Sequence, residues 1–201
     1  MGKFLNRKVL TLLILMSLVS LLPNINNYQF RGEEALRTMV AYEMDKMSNY
    51  IQPTLLGEPY YNKPPLFNWL IIVSSKLIPW SELTSRSVTL IALILILLVT
   101  YILAFNILND RFAALMSALI FISFSDILFW YGYLAEIDIT LTLFNTTSLL
   151  FLILGYKKAK ISLLAMSGFV IGLSFLLKGL PAYAFWVLSI AAIIIKYKYC
   201  Y

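Results

Sequence analysis

Apolar residues along this chain fall in long unbroken runs separated by short polar stretches. That spacing fits helices crossing a bilayer rather than strands with alternating faces. About six runs stand out: Val9–Pro23, Ser87–Ile107, Phe112–Phe129, Ile139–Gly155, Ile161–Leu177 and Ala182–Ile195. A span needs close to ~20 apolar residues, so the shorter runs rely on flanking side chains that reach up to the headgroups. Residues 24–86 form a long polar segment between the first and second runs. Within it Leu36, Met39, Val40 and Met47 recur at helical spacing and predict an amphipathic helix over 33–47. The later stretch PPLFNWLIIVSSKLI is apolar but short, and reads as a helix lying at the membrane interface. The expected fold is an all-α integral membrane protein. It has about six transmembrane helices in one membrane domain, 1–201, and a long helical first external loop, 24–86.

Composition sharpens this picture. Of the 201 residues, 61% are hydrophobic, above the roughly 45–50% of soluble domains. The basic start and apolar middle of MGKFLNRKVLTLLILMSLVSLLPNINN suit a signal peptide, but Leu21, Leu22 and Pro23 stand where a small-residue cleavage site belongs. The segment therefore reads as an uncleaved first transmembrane helix. Cys200 is the only cysteine, so no intrachain disulfide is expected, and the chain has no histidine. Proton chemistry falls to Asp, Glu, Lys or Tyr.

The charges sort by connection. Lys3, Arg7 and Lys8 precede the first run, Arg111 follows the second, Lys157, Lys158 and Lys160 follow the fourth, and Lys196 and Lys198 follow the sixth. These basic connections read as cytoplasmic, with Asp110 the one acid among them. The alternate connections hold Glu33, Glu34, Glu43, Asp45, Glu58, Glu82, Glu136 and Asp138, with Asp126 near the same end of the third run. The net charge of +6 is thus explained by orientation, and no nucleic-acid partner is expected. The acids gather on the non-cytoplasmic face.

Four stretches on that face carry candidate chemistry. In GEEALRTMVAYEM, Glu33 and Glu34 open a predicted helix, where the macrodipole favours carboxylates. Arg37 lies one helical turn on, so a surface ion pair with Glu33 is a second plain reading, and taken alone the stretch favours these over a catalytic role. In GEPYYNKPPLFNWL, Pro64 and Pro65 fix a helix start and hold Lys63 near the membrane surface. There it is either a point charge for a lipid phosphate or an ordinary interfacial lysine. Glu136 and Asp138 sit at the head of the fourth run, where acids face an aqueous or protein cavity or a solvated loop. In FLLKGLPAY, Lys178 precedes a Gly179–Pro181 turn, and a snorkelling lysine is the simpler reading.

Taken in order, these stretches resemble the polytopic glycosyltransferases that use polyprenyl-phosphate sugars, the aminoarabinose transferases of lipid A and the protein mannosyltransferases, which share a type-C fold. GEEALRTMVAYEM resembles their Asp-Glu loop and helix. YYNKPPLFNWL resembles their Tyr-aromatic-Glu-Lys-Pro-Pro-Leu segment, Asp138 their acid at a later span, and LLKGLPAY their Thr-Lys-Gly-Pro turn. The resemblance runs from the first span to about Tyr183 and covers only the N-terminal part of such proteins. It implies a glycosyltransferase of the bacterial inner membrane, with the N-terminus cytoplasmic and the site on the periplasmic face. The implied donor is a polyprenyl-phosphate-linked sugar, and the implied acceptor is lipid A, another glycan or a protein. By the same resemblance Glu33 is the catalytic base, Glu34 or Asp138 positions the acceptor, and Lys63 and Lys178, with Arg37 behind them, bind the donor phosphate. Two positions depart from the pattern. Glu33 stands where the family has Asp, and Asn62 stands where it has an acid, which leaves a divalent metal open rather than expected. A multi-span lipid or ion transporter and a non-catalytic fragment are the alternatives.

Overall fold

The computed structural model describes residues 6–23 and 25–199. Lys3 and Cys200 lie outside these, as do the side chains of Lys196 and Lys198. The elements run α1 (Arg7–Val19), α2 (Glu34–Lys46), a two-stranded hairpin β1 (Thr54–Leu55) and β2 (Glu58–Pro59), α3 (Leu66–Ser75), α4 (Glu82–Leu108), α5 (Arg111–Ser123), a π-helical turn (Ile127–Tyr131), α6 (Ile137–Lys158), α7 (Ile161–Lys178) and α8 (Pro181–Tyr199). Among the described residues three helices are long and apolar enough, by length and composition, to cross a membrane: α4 with 27 residues, α6 with 22 and α7 with 18. Among the others, α3, α5 and the apolar part of α8, Pro181–Ile195, are shorter apolar helices, and α1 has 13 residues.

Local chemistry explains the boundaries. Asn6 caps α1 by accepting from Val9 N at 3.0 Å, and Asp110 caps α5 by accepting from Phe112 N at 2.8 Å, each satisfying an orphan donor of a first turn. The α4–α5 turn passes through Asn109 at φ 52°, in the left-handed region that asparagine tolerates. The third run was expected to continue to Phe129, but α5 stops at Ser123 because Phe124 takes an extended conformation. Ser123, Ser125 and Asp126 surround that break, and such side chains compete with the backbone for hydrogen bonds. The hairpin turn, Leu56 and Gly57, has positive φ at both residues. Glu43 of α2 holds it by accepting from Leu56 N at 2.6 Å and Thr54 Oγ1 at 2.8 Å.

Two buried clusters organise the packing. One joins α4, α5 and α6 through Leu93, Ile96, Ala118, Ile122 and Ile139, with Leu21 and Ile127. The other docks the polar segment onto the bundle. In it Val40, Ala41 and Met44 of α2 and Phe67, Ile71 and Ile72 of α3 pack with Val88, Ile137 and Leu177. Burial of each large apolar side chain contributes about 1.5–3 kcal/mol. Ile137 lies between Glu136 and Asp138, and Leu177 directly precedes Lys178, so the backbone carrying these three charged residues is fixed by core packing.

Candidate functional site

The start of α6 and the end of α7 meet at one end of the bundle, opposite the lysine-rich α6–α7 turn. The polar segment folds over this end and leaves a cleft of about 250 Å³. It is lined by Glu33 and Arg37 from the start of α2, Lys63 before α3, Trp130 and Tyr131 from the π-helical turn, Glu136, Ile137 and Asp138 from the head of α6, and Lys178 from the end of α7. Five of the six residues singled out in the sequence, Glu33, Arg37, Lys63, Asp138 and Lys178, therefore share one wall-to-wall site.

Its charges are largely paired. Asp138 Oδ1 accepts from Lys178 Nζ at 2.6 Å across α6 and α7. Arg37 is ion-paired with Glu33 through Nη2, the one-turn pair anticipated from spacing. Its Nε lies 3.6 Å from Glu136 Oε2. Among the described residues Lys63 makes no ion pair within 4.0 Å, so its cation is free to meet an incoming anion. Glu33 is 55% exposed, whereas Glu136 is only 10% exposed. Burial pushes the Glu136 carboxyl above the ordinary carboxylate range. The Glu33 N–H and the Arg37 charge pull it down, and the charges of Glu33 and Asp138 push it further up. Glu136 Oε1 accepts from Glu33 N at 3.2 Å. Gly32 permits this approach, because it has φ +57° and a Cβ there would lie 2.9 Å from that same oxygen.

Glu34 is the sixth residue, and the structure removes it from the cleft. Its side chain is fully buried. Oε1 accepts from Arg86 Nε at 2.9 Å and from Ala135 N at 2.7 Å, while Oε2 accepts from Arg86 Nη2 at 2.9 Å and from Arg31 N at 2.9 Å. A sealed carboxylate with its acceptor sites filled does not reach an acceptor hydroxyl. Arg86, also fully buried, completes the anchor by donating to Ile25 O, Tyr28 O and Gln29 O at 2.5, 3.0 and 3.1 Å. All five guanidinium N–H donors are thereby used. The adjacent acids thus divide the work. Glu34 ties the chain before α2 to the head of α4 and the residue before Glu136, and Glu33 faces the cleft. Sequence reading passed over Arg86, whose signal was a charge at the head of an apolar run in need of a buried partner.

Among the described residues no group of three or more His, Cys, Asp or Glu side chains is gathered as metal ligands. Glu33 and Asp138 each face a cation, and Asn62 donates from Nδ2 to Tyr60 Oη at 3.1 Å.

The fold and cleft define a helical membrane protein, with one short hairpin, whose ion-paired polar site is covered by a segment from its first loop. The chain belongs to the dolichyl-phosphate-mannose-protein mannosyltransferase family, whose model matches residues 62–199. It is 27% identical over 191 residues to the undecaprenyl phosphate-alpha-4-amino-4-deoxy-L-arabinose arabinosyl transferase of Yersinia enterocolitica, covering 93% of this chain and 34% of that one. It is 25% identical over 195 residues to the same-named protein of Pectobacterium carotovorum, covering 95% and 35%. The chain spans about a third of the length of these relatives. The structure of ArnT from Cupriavidus metallidurans in the apo state superposes with a TM-score of 0.78 at 17% identity, over 94% of this chain and 36% of that one. The structure of the same protein bound to undecaprenyl phosphate gives 0.78 at 19% identity, over 90% and 34%. At these identities the likeness is one of fold.

Proposed function

We propose that this chain carries the donor-side site of a membrane glycosyltransferase that moves a sugar from a polyprenyl phosphate to lipid A, another glycan or a protein. The cleft opens on the periplasmic face of a bacterial inner membrane, and the N-terminus is cytoplasmic. One observation carries the reading. Glu33, Lys63, Asp138 and Lys178 come from four separate parts of the sequence and line one cleft at the end of the bundle away from the basic turns. Basic turns mark the cytoplasmic side, so the cleft lies where an outer-leaflet acceptor is presented. The naming of the relatives supports the donor class.

The chemistry follows from charge and exposure. The acceptor oxygen attacks the anomeric carbon as the bond from that carbon to the phosphate oxygen breaks. The acceptor proton passes to the exposed Glu33 carboxylate, a general base within reach of the cleft. Polyprenyl phosphate leaves, and its phosphate oxygen keeps the bonding electron pair. Lys63, with no ion pair among the described residues, compensates the charge that develops there. Lys178 contributes from the opposite wall and also holds Asp138 in place to orient the acceptor hydroxyl. Arg37 sets the direction of Glu33 and is a positioning residue rather than a phosphate ligand.

The test uses membranes carrying the native chain, a labelled polyprenyl-phosphate sugar and outer-leaflet lipid extract, with release of free polyprenyl phosphate as the readout. Lys63→Ala is expected to raise the donor KM by about tenfold, in line with loss of one charge-assisted contact. An unchanged donor KM and kcat in that variant would remove Lys63 from the phosphate site.

A further inference from the structure

Arg37 stands between two carboxylates and is fully served by only one. Nη2 pairs with Glu33. Nε is buried and has no hydrogen-bond partner among the described residues, yet Glu136 Oε2 lies 3.6 Å away, just beyond hydrogen-bond range. A buried guanidinium N–H without an acceptor is costly, and a small movement would supply one. Arg37 itself is only 6% exposed, so water offers it little.

We propose that Glu136 is a positioning residue: a second seat for the Arg37 guanidinium, which shifts to it when Glu33 becomes neutral. This rests on the reading of Glu33 as the base. When the acceptor hydroxyl gives its proton to Glu33, the Glu33–Arg37 ion pair is lost. The guanidinium moves to Glu136 Oε2 and stays paired. Glu33 then releases its proton to solvent from its exposed side, and Arg37 returns. Charge is conserved throughout, because one proton enters on Glu33 and one leaves. Without the second seat, protonating Glu33 would strand a buried cation.

Glu136 is placed for this task. Its Oε1 is tied to the Glu33 N–H, which leaves Oε2 toward Arg37. The titratable and charged groups that share its cleft are Glu33 and Arg37 of α2, Asp138 of α6, Lys178 of α7, Lys63 before α3 and Tyr131 of the π-helical turn. Burial raises the Glu136 carboxyl above its ordinary value, so Glu136 is the acid whose ionisation limits the seat as pH falls.

Two arms test it. In thermal unfolding of the native chain in detergent, Glu33→Gln, Glu136→Gln and the double variant form a cycle. Either carboxylate alone keeps Arg37 paired, so the double variant is expected to lower Tm by more than the sum of the singles. Additive shifts would overturn the proposal. In turnover, Glu136→Gln is expected to lower kcat by about tenfold or more with donor KM held within about twofold. Its acid limb should lose one inflection and become shallower. Glu136→Asp should restore the steeper limb, which a packing defect would not do. An unchanged kcat and acid limb in Glu136→Gln would also overturn it. Absence of polyprenyl phosphate release by the parent chain would sink the transfer reading instead, and the unfolding cycle would still decide the second seat.

Discussion

At the scale of single residues, the acidic pair shows how neighbours on a chain take unlike roles. A helix start turns successive side chains by roughly 100°, so one carboxylate points into the protein when the other faces the cleft. Glu34 and Arg86 then form a bidentate buried pair supported by backbone donors and acceptors. Such a pair is weak grounds for net stability, but removing one partner leaves an uncompensated buried charge and costs about 3–5 kcal/mol. Glu34→Gln is therefore expected to lower the Tm of the detergent-solubilised chain strongly. A variant that kept the parent Tm and lost only turnover would return Glu34 to the reacting groups. The pairing of Glu33 with Arg37 was legible in the sequence, because one-turn spacing on a helix makes neighbours. The Arg86 partnership was not, because its two members lie 52 positions apart and only the tertiary fold joins them.

At the scale of elements, hydropathy located the runs that became α4, α6 and α7 and misjudged where several helices begin and end. It placed the second span from Ser87, whereas α4 begins at Glu82. The polar turn ELTSRS stays helical because Arg86 has its buried partner and Thr84 Oγ1 donates to Pro79 O at 2.6 Å. It also ran the third span through the break after Ser123, because an apolar count does not register extended backbone at one phenylalanine. The hairpin went unforeseen for a related reason. Its turn is held by Glu43, 13 positions before Leu56, and its strands are two residues each. The α6–α7 turn carries a residue the structure does not favour. Ala159 sits at φ 50° just past α6, a conformation that costs a residue with a Cβ about 1–2 kcal/mol and that glycine commonly fills. Ala159→Gly is expected to stabilise the chain by about 1 kcal/mol, read as a rise in Tm. A fall would mean that the turn does not adopt this geometry in the membrane-extracted protein.

At the scale of the whole molecule, the cleft was the most legible feature, because the alternation of basic and acidic connections assigns each to a side before any contact is known. Glu33, Lys63, Asp138 and Lys178 fall on one side by that rule, and the core around Ile137, Leu177 and Phe67 brings them together. What the pattern did not contain is the internal bookkeeping of charge within the site. Lys178 is engaged by Asp138, Arg37 lies between Glu33 and Glu136, and Lys63 is the one cation lining the cleft that makes no ion pair with the described residues. The central claim is that the exposed Glu33 takes the acceptor proton while the cations hold the donor. The most direct measurement is labelled sugar transfer by the native chain in membranes, with Glu33→Gln beside the parent and undecaprenyl phosphate binding followed in parallel. The account predicts a loss of kcat of about a hundredfold or more in the variant, with lipid-phosphate binding retained. Full transfer by Glu33→Gln would contradict it.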